Sequence, residues 1–176
     1  QLLYTYMSWS SLSSGNTTVL GIRNNTVWGW GTNTTGQIGD GTTVSRSSPV
    51  QIFAGSSISS VYSGYTNSYA IDSLGRLWGF GGNTSGSLGD GTTVAKSSPV
   101  QIAGSWTSIY ANGVAYTYGY KSDGTLWAWG LNNVGQLGDN TIINKSSPIQ
   151  VTTTYSKIAP GASTLIAIKS DGSLSV

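Results

Sequence analysis

Apolar residues come in short runs that glycines interrupt, and no apolar stripe with the 3.6-residue period of a helix continues for ten residues. The runs are rich in Val, Ile, Tyr, Trp and Thr, which suit a pleated sheet. In the middle of the chain, turn signals at 111–113 and 122–124 separate such runs. The pattern therefore predicts strands at 99–102, 106–111, 115–121 and 125–130.

The sequence contains three copies of this pattern. Residues 28–52 and 78–102 are identical at 18 of 25 aligned positions, a third copy covers 127–151, and a partial copy covers 155–176. Periods near 50 residues indicate a solenoid, a propeller or an array. Since four strands in such a period make one propeller blade, we expect a single all-β domain of β-propeller blades over residues 1–176, with about three and a half repeats.

A ring of three and a half blades is incomplete, because closed propellers have about four to eight. The exposed edges of an open fan invite strand pairing. The chain could be part of a longer one, several copies could complete a ring, or the apolar segment 1–7 could cap an edge. We favour the first two together, and expect this chain to be part of a longer chain or of an oligomer.

Four sets of repeat-equivalent residues are expected to have structural roles. The tryptophans would pack between blades, and the glycines would allow strands and blades to approach closely. The aspartates would accept backbone N–H groups within their own loops. The prolines would begin the next strand, where a missing N–H costs least. These sets are Trp28, Trp78 and Trp127; Gly31, Gly81 and Gly130; Asp40, Asp90 and Asp139; and Pro49, Pro99 and Pro148.

Two further groups are candidates for surface contacts. A basic residue precedes each Ser-Ser-Pro and could meet an anionic sugar or phosphate, although a solvated loop charge is the simpler interpretation. Three tyrosines vary between copies, which indicates weaker packing constraints, and exposed tyrosines suit sugar or protein binding. These candidates are Arg46, Lys96 and Lys145, and Tyr65, Tyr118 and Tyr120.

The composition lacks several residue types on which most catalytic sites depend. The chain has no His, Cys or Glu, so nucleophilic triads lack a base and zinc lacks its N and S ligands. A calcium site at the rim is a weaker alternative, because each loop offers one carboxylate. We therefore expect no catalytic residues, no metal and no cofactor.

The charge pattern also limits the partners. Only 8% of residues are charged and the net charge is +2, which is too weak and too scattered for nucleic-acid binding. No apolar run of about 18 residues is present, so we expect no membrane insertion.

Residues 123–140, "DGTLWAWGLNNVGQLGDN", followed by "SSPIQV" at 146–151, carry a resemblance. Their motif, W-x-W-G-x-N-x-x-G-x-[LI]-G, resembles the repeat of the regulator-of-chromosome-condensation family, and the likeness extends over roughly residues 9–174. The resemblance implies a β-propeller, commonly of seven blades. The "SSPVQ" variant also resembles repeats in bacterial and phage surface proteins.

These features favour a non-enzymatic structural or binding module of a surface assembly, such as a phage tail or head fibre or a bacterial extracellular structure. It would lie outside the cell or on a virion surface. Its partners would be other copies or subunits of that assembly, or a cell-surface glycan or protein receptor. The alternative implied by the family resemblance is a soluble interaction propeller that acts like a guanine-nucleotide exchange factor or an enzyme inhibitor.

Overall fold

The computed structural model describes residues 8–53, 57–111, 115–153, 155–161 and 165–175, and within them the chain forms strands and no helix. The expected edge cap at 1–7 lies outside these residues. The strands are β1 (Trp9–Ser14), β2 (Thr18–Arg23), β3 (Thr26–Gly31), β4 (Arg46–Gln51), β5 (Ile58–Ser63), β6 (Asn67–Asp72), β7 (Leu77–Gly81), β8 (Lys96–Ile102), β9 (Trp106–Tyr110), β10 (Tyr116–Lys121), β11 (Leu126–Gly130), β12 (Lys145–Gln150), β13 (Tyr155–Pro160), β14 (Leu165–Lys169) and β15 (Leu174–Ser175).

The strands form four antiparallel sheets in sequence order. Three sheets have four strands, β1-β2-β3-β4, β5-β6-β7-β8 and β9-β10-β11-β12, and the fourth sheet has three, β13-β14-β15. These sheets are the first to fourth blades of an open propeller fan. The predicted all-β fold of propeller blades is confirmed.

The grouping of strands into blades corrects one prediction. The strand predicted at 99–102 belongs to β8, which pairs with β7 through Leu77 and Ile102 and therefore closes the second blade rather than opening the third. Pro49, Pro99 and Pro148 accordingly lie inside edge strands and do not begin the next blade. A register shift interrupts the ladder at each of them, and an edge strand with a bulge tolerates proline.

The strands of a blade are connected by short turns at one end and by a long loop at the other. At the hairpin end, short turns join the second strand to the third, and Asn24 and Asn25 make the first such turn with φ of 50° and 58°. Positive φ at both central residues is typical of a type I′ hairpin turn. At the loop end, long loops at 32–45, 82–95 and 131–144 join the third strand to the fourth.

Each apolar core lies between two blades and not within one. One cluster combines Leu20 and Val27 of the first blade with Phe80 of the second, and another combines Tyr69 of the second blade with Trp129 of the third. A third cluster joins the third blade to the fourth. No blade buries its faces alone, which explains why the sequence repeats.

Candidate functional site

The three long loops at the loop end are the best-defined candidate for a functional surface. Each is built around an asparagine that is 0–1% exposed. The three equivalent residues are Asn33, Asn83 and Asn132.

The side chain of Asn83 illustrates how this asparagine organises its loop. Its Nδ2 donates to Asp90 Oδ1 at 3.0 Å, to the Thr92 carbonyl at 3.1 Å and to the Val94 carbonyl at 3.2 Å. Its Oδ1 accepts the N–H of Leu88 at 2.9 Å. Equivalent bonds surround Asn33 and Asn132. A buried amide with these bonds fixes the loop backbone without a core of its own.

The repeated aspartates and basic residues belong to the same network. Asp40 Oδ1 accepts the N–H of Thr42 at 3.0 Å, which is the kind of bond expected from the sequence, and Asp40 Oδ2 lies 2.7 Å from Arg46 Nε. In the next loops, Lys96 Nζ lies 3.5 Å from Asp90 and Lys145 Nζ lies 3.1 Å from Asp139. The three candidate cations are thus held by carboxylates, and positive and negative side chains balance at the loop end.

Hydrogen bonding keeps these carboxylates ionised. Burial would raise the pKa of Asp139, but bonds from Thr141, Lys145 and Asn132 outweigh burial and lower the pKa to about 2. Burial opposes ionisation of Asp40 and Asp90 too, but bonds from Thr42 and Arg46 lower the pKa of Asp40, and bonds from Thr92 and Asn83 lower that of Asp90. Each carboxylate therefore remains a charged acceptor at neutral pH.

The first two loops also dock on the following blade through a glycine. A Cβ on Gly39 would lie 2.6 Å from the ring of Phe80, and a Cβ on Gly89 would lie 2.8 Å from Trp129 Nε1. The indole N–H of Trp129 donates to the Ser87 carbonyl at 2.8 Å. Each of these loops therefore forms a slot that an aromatic side chain of the next blade fills.

The third loop has the same internal network, but the fourth-blade position that corresponds to Phe80 and Trp129 falls after Val176, the last residue of the sequence. A Cβ on Gly138 would have no neighbour within 4 Å among the described residues. A cavity of about 270 Å³ lies beside it, lined by residues that include Gln136, Leu137 and Tyr118.

An exposed aliphatic side chain projects from each loop. Val44, Val94 and Ile143 are 59%, 63% and 64% exposed, and their spacing of 50 and 49 residues follows the repeat. Their carbonyls accept bonds from the buried asparagines, which hold them in place. These three residues, here called the apolar row, were missed in the sequence analysis, although an aliphatic residue recurring in a polar loop was the available signal.

The repeated tryptophans flank the cores and are half-buried. The indole N–H of Trp28 donates to Thr26 Oγ1 at 3.0 Å, and that of Trp127 donates to Thr125 Oγ1 at 2.8 Å. Arg76 replaces this threonine in the second blade, and the buried Nε1 of Trp78 has no acceptor among the described residues. In the third strands of the second and third blades, the fully buried aromatic residues are instead Phe80 and Trp129, two residues further along.

The repeated glycines at the ends of the third strands allow a close backbone approach. Gly31, Gly81 and Gly130 have φ of 104°, 103° and 99°. A Cβ on any of them would collide with the carbonyl oxygen of the residue just before the neighbouring strand. Glycine alone both adopts a positive φ without strain and leaves room for the nearby carbonyl oxygen.

The candidate tyrosines separate into three environments. Tyr65 is 48% exposed. Tyr120 is half-buried and donates to the Tyr155 carbonyl at 3.0 Å. Tyr118 is 1% exposed and its hydroxyl donates to the Gln136 carbonyl, so its assignment as a surface contact is wrong.

No group of three or more His, Cys, Asp and Glu side chains that could hold a metal occurs in the part of the chain that the structure describes. Over the same residues, no helix is long and apolar enough to cross a membrane.

The comparisons with known proteins agree with this architecture. The family model for the regulator of chromosome condensation (RCC1) repeat matches residues 24–71, 75–111 and 123–168, which is more than half of the chain. A search of curated proteins gives no significant match.

Similar solved structures share the fold at low sequence identity. Human WBSCR16 has a TM-score of 0.82 at 19% identity, with 96% of this chain and 46% of that chain covered. Prp20p from Saccharomyces cerevisiae, which was studied for its binding to Gsp1p and histones, has a TM-score of 0.76 at 18% identity, with coverage of 89% and 42%. Yeast RCC1 (Prp20) with Kap60 bound gives 0.81 at 16% identity, with coverage of 97% and 44%. The chain thus spans less than half the length of these proteins.

Proposed function

Because the chain belongs to the RCC1 repeat family, we propose that it is a non-enzymatic protein-binding part of a β-propeller that uses its loop end as the contact surface. The apolar row is the observation that supports this most directly. Three aliphatic side chains project from hydrogen-bonded loops whose charges are paired. Exposed apolar side chains with few free charges around them are typical of the centre of a protein interface.

We further propose that the module belongs to a surface assembly, as a phage tail or head fibre or a bacterial extracellular structure. Its partners would be other copies or other subunits of that assembly, with a cell-surface protein or glycan as receptor. The low content of charged residues, 8%, supports this setting. The apolar row supports it too, since an equivalent exposed aliphatic residue in each of the first three blades gives a repeated contact along the rim.

A triple variant tests the apolar row. Val44→Asp, Val94→Asp and Ile143→Asp together place charges in the proposed interface, and we expect the association constant between subunits to fall at least tenfold. Leu74→Asp is the matched control, because Leu74 is 71% exposed at the hairpin end, where the third blade has Asp123 in the equivalent turn. Sedimentation of the purified protein and copurification with the native assembly measure the effect.

Two outcomes would contradict the proposal. A triple variant that associates as the unmodified chain does would exclude the apolar row as the interface. Nucleotide release from a small GTPase that the triple variant still catalyses would support the soluble exchange-factor alternative instead. The unfolding temperatures of both variants must remain near that of the unmodified chain, since the substituted side chains are exposed.

A further inference from the structure

At the loop end, each blade also has a short turn that joins its first strand to its second. These turns of the first and second blades enclose a cleft of about 290 Å³. Its lining consists of Ser14, Gly15, Asn16, Ser63, Gly64 and Tyr65. Both flanking blades have all four strands, and β1 begins at the hairpin end, where Trp9 pairs with Arg23. The cleft therefore lies inside the repeat array and away from both ends of the sequence.

Backbone contacts hold the two turns against each other. The Ser63 N–H donates to Ser13 Oγ at 2.9 Å, and Ser63 Oγ donates to the Ser13 carbonyl at 3.2 Å. A Cβ on Gly15 would collide with the Gly64 carbonyl. In both turns the glycine N–H bonds to the carbonyl three residues further on. The floor of the cleft is thus preformed, and a ligand would not have to order it.

Tyr65 is the residue of the cleft that departs from the repeat. It follows Gly64, whereas Asn16 follows the equivalent Gly15. The tyrosine is 48% exposed, so packing between blades does not account for its ring. An exposed aromatic side chain with a polar tip is typical of a binding surface.

The polar groups of the cleft are neutral. The side chains of Ser14, Asn16 and Tyr65 are exposed and make no hydrogen bond to any residue that the structure describes. Two hydroxyls and an amide offer both donors and acceptors to a ligand. The described residues that line the cleft include no Asp, Lys or Arg. A charged ligand would lose hydration there without gaining an opposite charge.

We propose that this cleft binds one ring of a neutral sugar, free or within a glycan. The face of the Tyr65 ring packs on the C–H groups of the sugar, while the Asn16 amide and the Ser14 hydroxyl bond to its hydroxyls. An apolar cavity of about 150 Å³ already accepts a benzene ring, so a cleft of about 290 Å³ has room for one sugar ring. The inference deepens the proposed function and rests on it for the biological setting, because it names the class of receptor.

Saturation-transfer NMR on the whole chain tests this site with the methyl β-glycosides of glucose, galactose and N-acetylglucosamine, and with glucuronate as the anionic probe. We expect saturable binding of at least one neutral probe and weaker binding of glucuronate. Tyr65→Ala should weaken the neutral probe about tenfold or more, because it removes the ring. Tyr65→Phe keeps the ring and should weaken it less. Leu74→Ala is the matched control, since Leu74 is 71% exposed in a turn at the hairpin end, and it should leave binding unchanged.

Asn16→Ala tests the polar side of the cleft and should also weaken the neutral probe. The proposal is overturned if no neutral probe binds, if Leu74→Ala weakens binding as much as Tyr65→Ala does, or if glucuronate binds more tightly than the neutral probes. Binding of N-acetyltyrosinamide in place of the sugars would assign the cleft to a protein partner and would also overturn it. The triple variant of the apolar row should bind the sugar as the unmodified chain does, so loss of sugar binding and loss of subunit association are measured separately.

Discussion

The second and third loops have the same internal bonds but face different surroundings. In both loops, a buried asparagine bonds to the aspartate seven positions on, and that aspartate pairs with a lysine. The second loop holds Trp129 of the next blade, whereas the third loop has no such partner among the described residues, because the corresponding position falls after Val176. The loop conformation is therefore set locally, and packing between blades is a separate contribution.

The largest expected effect comes from emptying a filled slot. Trp129→Ala should lower the free energy of unfolding by about 3–5 kcal/mol, because Trp129 is fully buried and bonded to the Ser87 carbonyl. Trp30→Ala changes the equivalent residue of the first blade, which is half-buried, and should cost clearly less. Urea denaturation measures both, and equal losses would mean that occupation of the slot does not determine the energy.

Replacing the equivalent glycine in each loop with alanine tests the contribution of packing between blades. Gly89 and Gly138 have φ of 78° and 69°, so alanine at either position adopts a left-handed conformation that costs about 1–2 kcal/mol. Only at Gly89 would the added Cβ also press on Trp129, at 2.8 Å from Nε1. Overpacking should add about 1–3 kcal/mol there. If denaturation curves of this chain give the same loss for Gly89→Ala and Gly138→Ala, the contact with Trp129 adds nothing to the cost of the substitution.

The sequence predicted the blades well because the repeat and the alternation of residues carry the necessary information. The strand predicted at 115–121 is β10, Tyr116–Lys121, and that at 125–130 is β11, Leu126–Gly130. The strand at 99–102 was located, but its partner was assigned wrongly. Strand order along the chain does not reveal on which side an edge strand pairs, and Pro99 was read as a strand start when a bulge accommodates it.

The candidate site was only partly predictable. Variation at the position of Leu20, Tyr69 and Tyr118 suggested exposure, yet all three are at most 1% exposed, because side chains of different size fill different gaps between blades. The sequence predicted a structural role for Asp40 and a surface role for Arg46. It did not predict their ion pair, which forms only because the folded loop brings the two side chains together.

Replacing the buried asparagine should lower the free energy of unfolding equally in the second and third loops, whereas replacing the glycine should not. Asn83→Ala and Asn132→Ala each remove a buried amide and leave loop carbonyls without their donor, at a cost of about 1–3 kcal/mol. Because the networks are local, we expect the two losses of unfolding free energy to agree within about 0.5 kcal/mol. A much larger loss at Asn83 would mean that docking on the third blade is needed to form the loop.

The smallest effect is the contribution of one carboxylate to acid stability. The folded pKa of Asp139, about 2, lies below its ordinary value of 3.8, so its stabilising contribution is present above pH 3.8 and is lost as the pH falls through about 2. Asp139→Asn should therefore reduce the fall in unfolding free energy between pH 5 and pH 2, and should cost about 1 kcal/mol at pH 7, since its lysine partner is partly exposed. Asp90→Asn in the filled loop should change the pH dependence in the same direction, because the two networks match. Denaturation at a series of pH values measures both slopes, and an unchanged slope in Asp139→Asn alone would show that the two networks differ in their electrostatics as well as in what they face.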